Sequence, residues 1–180
     1  MEFAILSDTH AADVSEVPGP FRDRVAAADH TIHAGDFDTP EALAGVRELS
    51  TELTAVYGNA DPDDGTLPAV ASVSVEGVTF VVAHGMVNPV RAAVFSSRGF
   101  VGSREDWLDA VADTAHARTR GDDPGTLVGV AGHTHEVEDE VYEGVRVLNP
   151  GSATGTGVER ATMMTATVED GDVDVTGHDA

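Results

Sequence analysis

Leu127-Val128-Gly129-Val130-Ala131-Gly132-His133-Thr134-His135 is a short apolar run that ends in two imidazoles one residue apart. The run reads as a buried strand. Gly132 is expected to let the backbone turn sharply where the run stops. Neutral imidazole is the commonest metal ligand among side chains. Alone, such a pair is more often two surface histidines than a metal site. Its meaning therefore depends on how the other strands end.

Four more apolar runs end in residues able to hold a hard or borderline metal. Residues 2–7 lead into Asp8 and His10, 31–34 into Gly35-Asp36, 53–57 into Gly58-Asn59, and 78–83 into His84. Helices fill the early intervals. Pro20 suits a first helical turn, with Phe21, Val25 and Ala28 on the apolar face. Thr39 caps the next helix, Pro40 stands just inside it and Glu41 lies near the positive end of its dipole. Leu43, Val46 and Leu49 make its apolar stripe. This alternation of strands and helices predicts a parallel sheet with helical crossovers. Ligands of such sheets bind beyond the carboxyl ends of the strands.

The texture then changes. Alternating runs at 70–75 and 78–83 flank Glu76-Gly77, those at 137–142 and 145–148 flank Glu143-Gly144, and those at 161–168 and 173–175 flank Asp170-Gly171, giving three hairpins. Ser103 and Asp106 form a capping pair for a helix to about His116. Trp107, Leu108, Val111, Ala112 and Ala115 share one of its sides. Residues 86–102 carry no clear pattern.

The bulk composition narrows the class. At 180 residues the chain is expected to form one domain spanning 1–180. It has no cysteine, so neither disulfides nor thiolate metal sites are available. No apolar stretch approaches the roughly 18 residues needed to span a membrane. No positively charged region precedes an apolar one at the N-terminus, so a cytoplasmic protein is expected. A homodimer or higher homo-oligomer is compatible with the sequence.

The 32 acidic and 10 basic residues give a formal charge of −22, and every basic residue is arginine. The acids are spread along the chain, which excludes a single acidic tail. Such a surface argues against non-specific nucleic-acid binding, which needs basic residues to neutralise phosphates.

Asp8, His10, Asp36, Asn59, His84, His133 and His135 are too many ligands for one first-row ion, and suit two divalent ions sharing a carboxylate. Mixed carboxylate and imidazole ligation without thiolate fits manganese, the preferred choice, or iron, zinc or nickel. Two such ions can activate a water and clamp a phosphate for in-line displacement.

Asp8-x-His10, Gly35-Asp36, Gly58-Asn59, His84 and Gly132-His133-Thr134-His135, in this order, resemble the calcineurin-like metallophosphoesterase superfamily. The form Gly58-Asn59-Ala60-Asp61 and the stretch Asn149-Pro150-Gly151-Ser152 look more narrowly like its small bacterial and archaeal phosphodiesterases, whose fold the Vps29 subunit of retromer shares. The resemblance implies an α/β fold of the metallo-dependent phosphatase type: a four-layer α-β-β-α sandwich of two facing, mostly β sheets. It implies that Asp8, His10 and His135 hold one metal, that Asn59, His84 and His133 hold the other, and that Asp36 bridges them. A bridging hydroxide would attack a small phosphodiester. His10, Asn59 and Asp61 are the expected catalytic residues, with Asp61 orienting its neighbours.

The departures from the pattern are specific. Ala60 stands where many members have a histidine that helps protonate the leaving group. The narrower phosphodiesterase group also lacks it, which favours diesters and leaves His10 or a metal-polarised water as the acid. Thr39 occupies the position of a further family acid, and Asp38 comes one residue early. Met86 replaces a second imidazole after His84-Gly85. The main alternative is a catalytically inactive Vps29-like scaffold, against which the intact ligand set argues. A phosphomonoesterase or nuclease of the same superfamily is the other. Ala60 weakens the first of these, and the lack of a cap domain or basic groove weakens the second.

Other candidates have plainer readings. His33 is expected to support or pack, and His30, His116 and His178 to be solvated or structural. Asn149 to Ser152 is most simply a tight turn, which the resemblance places near the site. Arg91, Arg98 and Arg104 read as surface residues in local ion pairs, with substrate phosphate as the alternative partner. Met163 and Met164 read as strand packing.

The lysine-free acidic surface resembles that of proteins from salt-loving archaea. Self-repulsion destabilises a compact state of this charge, and at about 1 M salt the Debye length falls to roughly 3 Å. The melting temperature should therefore rise between low and molar KCl; a melt that does not move contradicts this.

Overall fold

The computed structural model describes residues 1–62, 65–85, 103–120 and 124–180. Arg91, Arg98 and Met86 lie outside these residues. The core starts from β1 (Glu2–Leu6), whose side chains alternate between two apolar surroundings. Phe3 and Ile5 join a cluster with Ile32, Phe80, Val128 and Leu148, while Ala4 and Leu6 join one with Phe21 and Val25. A strand apolar on both faces needs a sheet covered on both sides.

β1 pairs in parallel with β2 (His30–His33), and β2 with β3 (Leu53–Ala55). On its other side β1 pairs antiparallel with the hairpin of β9 (Thr162–Glu169) and β10 (Asp172–Asp179). The second sheet contains β4 (Val70–Val75), β5 (Val78–Ala83), β6 (Thr126–Val130), β7 (Glu138–Tyr142) and β8 (Val145–Asn149). The orders are β10-β9-β1-β2-β3 and β4-β5-β6-β8-β7. Three parallel strands, β5, β6 and β8, form the middle of the second sheet.

The inner faces of the two sheets pack together, and the Phe3 and Phe80 ring centroids lie 4.8 Å apart. Each fully buried side chain of this kind contributes about 1.5–3 kcal/mol. Outside the first sheet lie α1 (Gly19–Ala27), which presents Phe21 and Val25, and α2 (Pro40–Leu49), which presents Leu43 and Val46. α3 (Arg104–Arg118) covers the second sheet with Trp107, Leu108, Val111, Ala112 and Ala115. These are the expected four α-β-β-α layers. Thr39 caps α2 through the Ala42 N–H, and Ser103 and Asp106 form the full capping box of α3.

Three local expectations need correction. β3 stops at Ala55, not at Tyr57. Val56 still donates to the His33 carbonyl, but Tyr57 turns away to donate to Pro68, just before β4 in the other sheet. β10 runs through residue 179, well past 175, because its backbone stays paired with β9 throughout. A 3-10 turn at Val14–Glu16, capped by Asp13, was not anticipated. Among the described residues no helix is long and apolar enough to cross a membrane.

Candidate metal centre

The carboxyl ends of β1, β2, β3, β5 and β6 meet at one rim, and their loops knit the two sheets together there. Asp8 donates its N–H to the Gly35 carbonyl at 2.9 Å, and His10 to that of Asp36 at 3.0 Å. Gly132 donates to the His84 carbonyl at 3.1 Å. The His133 N–H crosses between sheets to the Asp8 carboxylate, at 3.0 and 3.2 Å from its two oxygens.

Five of the seven expected ligands have left-handed backbone: Asp8 (φ 49°), His10 (42°), Asp36 (60°), His133 (75°) and His135 (59°). This conformation costs an ordinary residue roughly 1–2 kcal/mol. It persists where the surroundings over-determine it, and such residues cluster at functional sites. Gly132 is not among the residues with positive φ, so the sharp turn expected of it falls to His133 and His135. Its role is close approach. A Cβ there would lie 1.9 Å from Ser7 Oγ and 2.3 Å from Asp8 Oδ2. A Cβ on Gly58 would lie 2.1 Å from Asp36 Oδ1.

Asp8, His10 and His135 form one group of potential ligands. The Nε2 atoms of the two rings are 3.2 Å apart, and His135 Nε2 is 3.2 Å from Asp8 Oδ1. His84, Asn59 and His133 form the neighbouring group. The Asn59 amide oxygen lies 3.2 Å from His84 Nε2 and 2.8 Å from His133 Nδ1. Asp36 touches both groups: its Oδ2 is 3.5 Å from His10 Nε2 and 3.2 Å from His84 Nε2. Its other oxygen accepts the Ala60 N–H at 2.8 Å. Asp8, Asp36 and His84 are buried, whereas Asn59 and His133 face solvent.

These residues fit divalent cations. His10 Nδ1 donates to Asp38 at 2.8 Å, His84 Nδ1 to the Ala34 carbonyl at 2.7 Å and His135 Nδ1 to the Thr156 carbonyl at 2.5 Å. Metal-binding histidines make such bonds through the ring nitrogen that does not ligate. When these rings are neutral, each Nε2 is a lone pair that faces carboxylate oxygens or another ring nitrogen at 3.2–3.5 Å. Electron-rich atoms this close repel unless positive charge lies between them.

Without metal, protons serve that purpose. Burial pushes Asp8 and Asp36 up, but hydrogen bonds from His135 and His84 respectively outweigh it and hold both carboxyls below their ordinary value. Burial pulls His84 down, yet its hydrogen bond to Asp36 and the nearby charge carry it above the usual imidazole value. The hydrogen bond to Asp8 raises His135. Burial, then the charge of His84, lowers His133.

Asp61, expected among the catalytic residues as one that orients its neighbours, is engaged by backbone N–H groups. Its carboxylate accepts the N–H groups of Asp36 (2.8 Å), Phe37 (2.7 Å), Asp38 (3.1 Å) and Gly58 (2.9 Å). It positions the turn that carries Asp36. His33 is fully buried between β2 and this turn. It accepts the Gly35 N–H on Nδ1, donates to Thr9 Oγ1 and stacks on Phe37 at 3.7 Å. Burial lowers it to about 3, so it is neutral. His30 is buried and bonded to Thr54, which decides for its structural reading. Arg104 pairs with Glu138 and Glu140, as its surface reading expected. Met163 and Met164 pack in the core.

Several residues that the sequence marks without giving them a role support the ligand loops. The Asn149 amide donates to the Gly132 carbonyl and to Thr134 Oγ1, and Ser152 Oγ donates to the Asp8 carbonyl at 2.8 Å. The stretch read as a tight turn is thus a clamp on two ligand loops. Trp107 Nε1 also donates to the Gly132 carbonyl. Asp38, an acid one residue early in the sequence pattern, lies against His10.

A four-layer sandwich with carboxylates and imidazoles gathered at these strand ends defines a metal-dependent phosphoesterase class. The calcineurin-like phosphoesterase superfamily domain matches residues 1–171, and the chain belongs to that superfamily. A protein of Methanothermobacter thermautotrophicus named "Probable metallophosphoesterase" is 30% identical over 156 residues, covering 86% of this chain and 78% of that protein. Vps29 of Entamoeba histolytica, solved with zinc, matches with a TM-score of 0.69 at 24% identity, over 99% of each chain. An archaeal phosphodiesterase of known structure matches with a TM-score of 0.63 at 20% identity, over 99% of this chain and 100% of its own.

Gly132→Ala should push the Asp8 carboxylate aside and weaken metal binding by about 10–100-fold. Metal analysis after dialysis in molar KCl measures this; full metal content in the variant contradicts it.

Proposed function

We propose that the chain is a phosphodiesterase that uses two divalent ions, with manganese preferred, to hydrolyse a small phosphodiester. One observation carries this reading. Two groups of lone-pair donors lie side by side, and Asp36 Oδ2 is within 3.5 Å of a histidine from each. Asp8, His10 and His135 would hold one ion and Asn59, His84 and His133 the other, with Asp36 between them. Bound there, the ions would supply an acidified water and neutralise charge developing on the phosphoryl oxygens. The chain's own residues hold the candidate ligands in place, through Asp61, Asn149 and Ser152.

Two features favour diesters. Position 60 is alanine and offers no side-chain proton donor beside Asn59. A monoester carries more negative charge than a diester, and a formal charge of −22 works against its approach.

The test is an assay in molar KCl with each metal in turn, comparing an activated aryl phosphodiester with the matching monoester. The diester should lead in kcat/KM by about tenfold or more. A monoester hydrolysed equally well overturns the diester reading. No hydrolysis with any metal, together with no bound metal, leaves the Vps29-like scaffold as the better description.

A further inference from the structure

Asp38 belongs to neither ligand group, yet its Oδ1 lies 2.8 Å from His10 Nδ1. A carboxylate can only accept here, so His10 carries its proton on Nδ1. In the neutral ring Nε2 is then the lone pair, and it lies 3.2 Å from His135 Nε2 and 3.5 Å from Asp36 Oδ2. The other two ligand rings that donate from Nδ1 do so to neutral carbonyls, those of Ala34 and Thr156. Of these three rings, His10 alone has a carboxylate as its partner.

The backbone that delivers Asp38 is held in an uncommon conformation, with φ at 74°. Asp61 takes the N–H groups of residues 36, 37 and 38 in succession, and residue 38 makes an isolated parallel bridge with Ala11. This turn is therefore fixed from two sides, and its result is a carboxylate aimed at the non-ligating nitrogen of a ligand. A histidine that donates to a carboxylate is held in one tautomer and orientation and becomes the more basic ligand.

We propose that Asp38 is a positioning residue for His10 and selectively strengthens the hold on the ion at Asp8, His10 and His135. This rests on the two-ion reading above, and the test separates the two. The full chain, stripped by chelator and returned to molar KCl, is titrated with Co²⁺ and followed by visible absorption. Wild type is compared with Asp38→Gly and Asp38→Asn. Glycine is chosen because alanine would be strained at φ 74°.

Wild type should take up two ions. Asp38→Gly should weaken one binding event by about 10–100-fold and leave the other unchanged. Asp38→Asn keeps an acceptor oxygen without the charge, and should weaken the same event less. Two events of wild-type affinity in Asp38→Gly overturn the proposal. Equal weakening of both events marks a general structural role and also overturns it. A wild-type chain that binds no Co²⁺ overturns the two-ion reading itself, and the proposal with it.

Discussion

Two buried carboxylates, Asp8 and Asp36, stand among the ring nitrogens of His10, His84 and His135. This concentration of negative potential is the constraint that the surrounding structure serves. Burying a charge unpaired is costly, and here the cost falls at one rim of the fold. Asp8 is bound by the His133 N–H and faces His135, while Asp36 is bound by the Ala60 N–H and faces His84. Hydrogen bonds from His135 and His84 hold the two carboxyls below their ordinary value, and the same contacts raise the two imidazoles.

Much of the nearby backbone exists to hold that arrangement. Five of the seven candidate ligand positions have left-handed backbone. Gly58 and Gly132 let neighbouring chains come within contact of the carboxylates. Behind the ligands lies a second set of residues. Asp61 grips the Asp36 turn, Asn149 and Trp107 hold the Gly132 carbonyl, and Ser152 holds the Asp8 loop. His33 stays neutral in the core, joining Thr9 of one ligand loop to Gly35 of the next. The two facing sheets, locked by pairs such as Phe3 and Phe80, supply a rigid base.

The fold was legible because its strands are short apolar runs with clear ends, and because the α3 stripe from Trp107 to Ala115 has helical spacing. The seven candidate ligand positions could be picked out because each follows such a run, and the structure gathers them at one rim. What sequence could not reveal depends on contacts between distant loops. Tyr57 leaves its strand for a carbonyl in the facing sheet's approach, a choice no local pattern encodes. That Asp61 orients its neighbours was legible, but which ones it holds, the four N–H groups of residues 36, 37, 38 and 58, depends on the distant Asp36 turn. Gly132 was read as a turn because glycine often makes one; only the nearness of Ser7 and Asp8 reveals its real role. Asp38 carried a signal, an acid one residue early, whose meaning needed His10 placed beside it.

Superfamily membership, the shared rim and the strained ligands all converge on metal-assisted ester hydrolysis. The central claim is that this rim holds two ions with Asp36 between them. An anomalous difference map from crystals grown with manganese tests it most directly. Two peaks roughly 3.5–4 Å apart are expected, one against Asp8, His10 and His135 and the other against Asn59, His84 and His133. A single peak, or peaks that leave Asp36 out of contact with either ion, would contradict it.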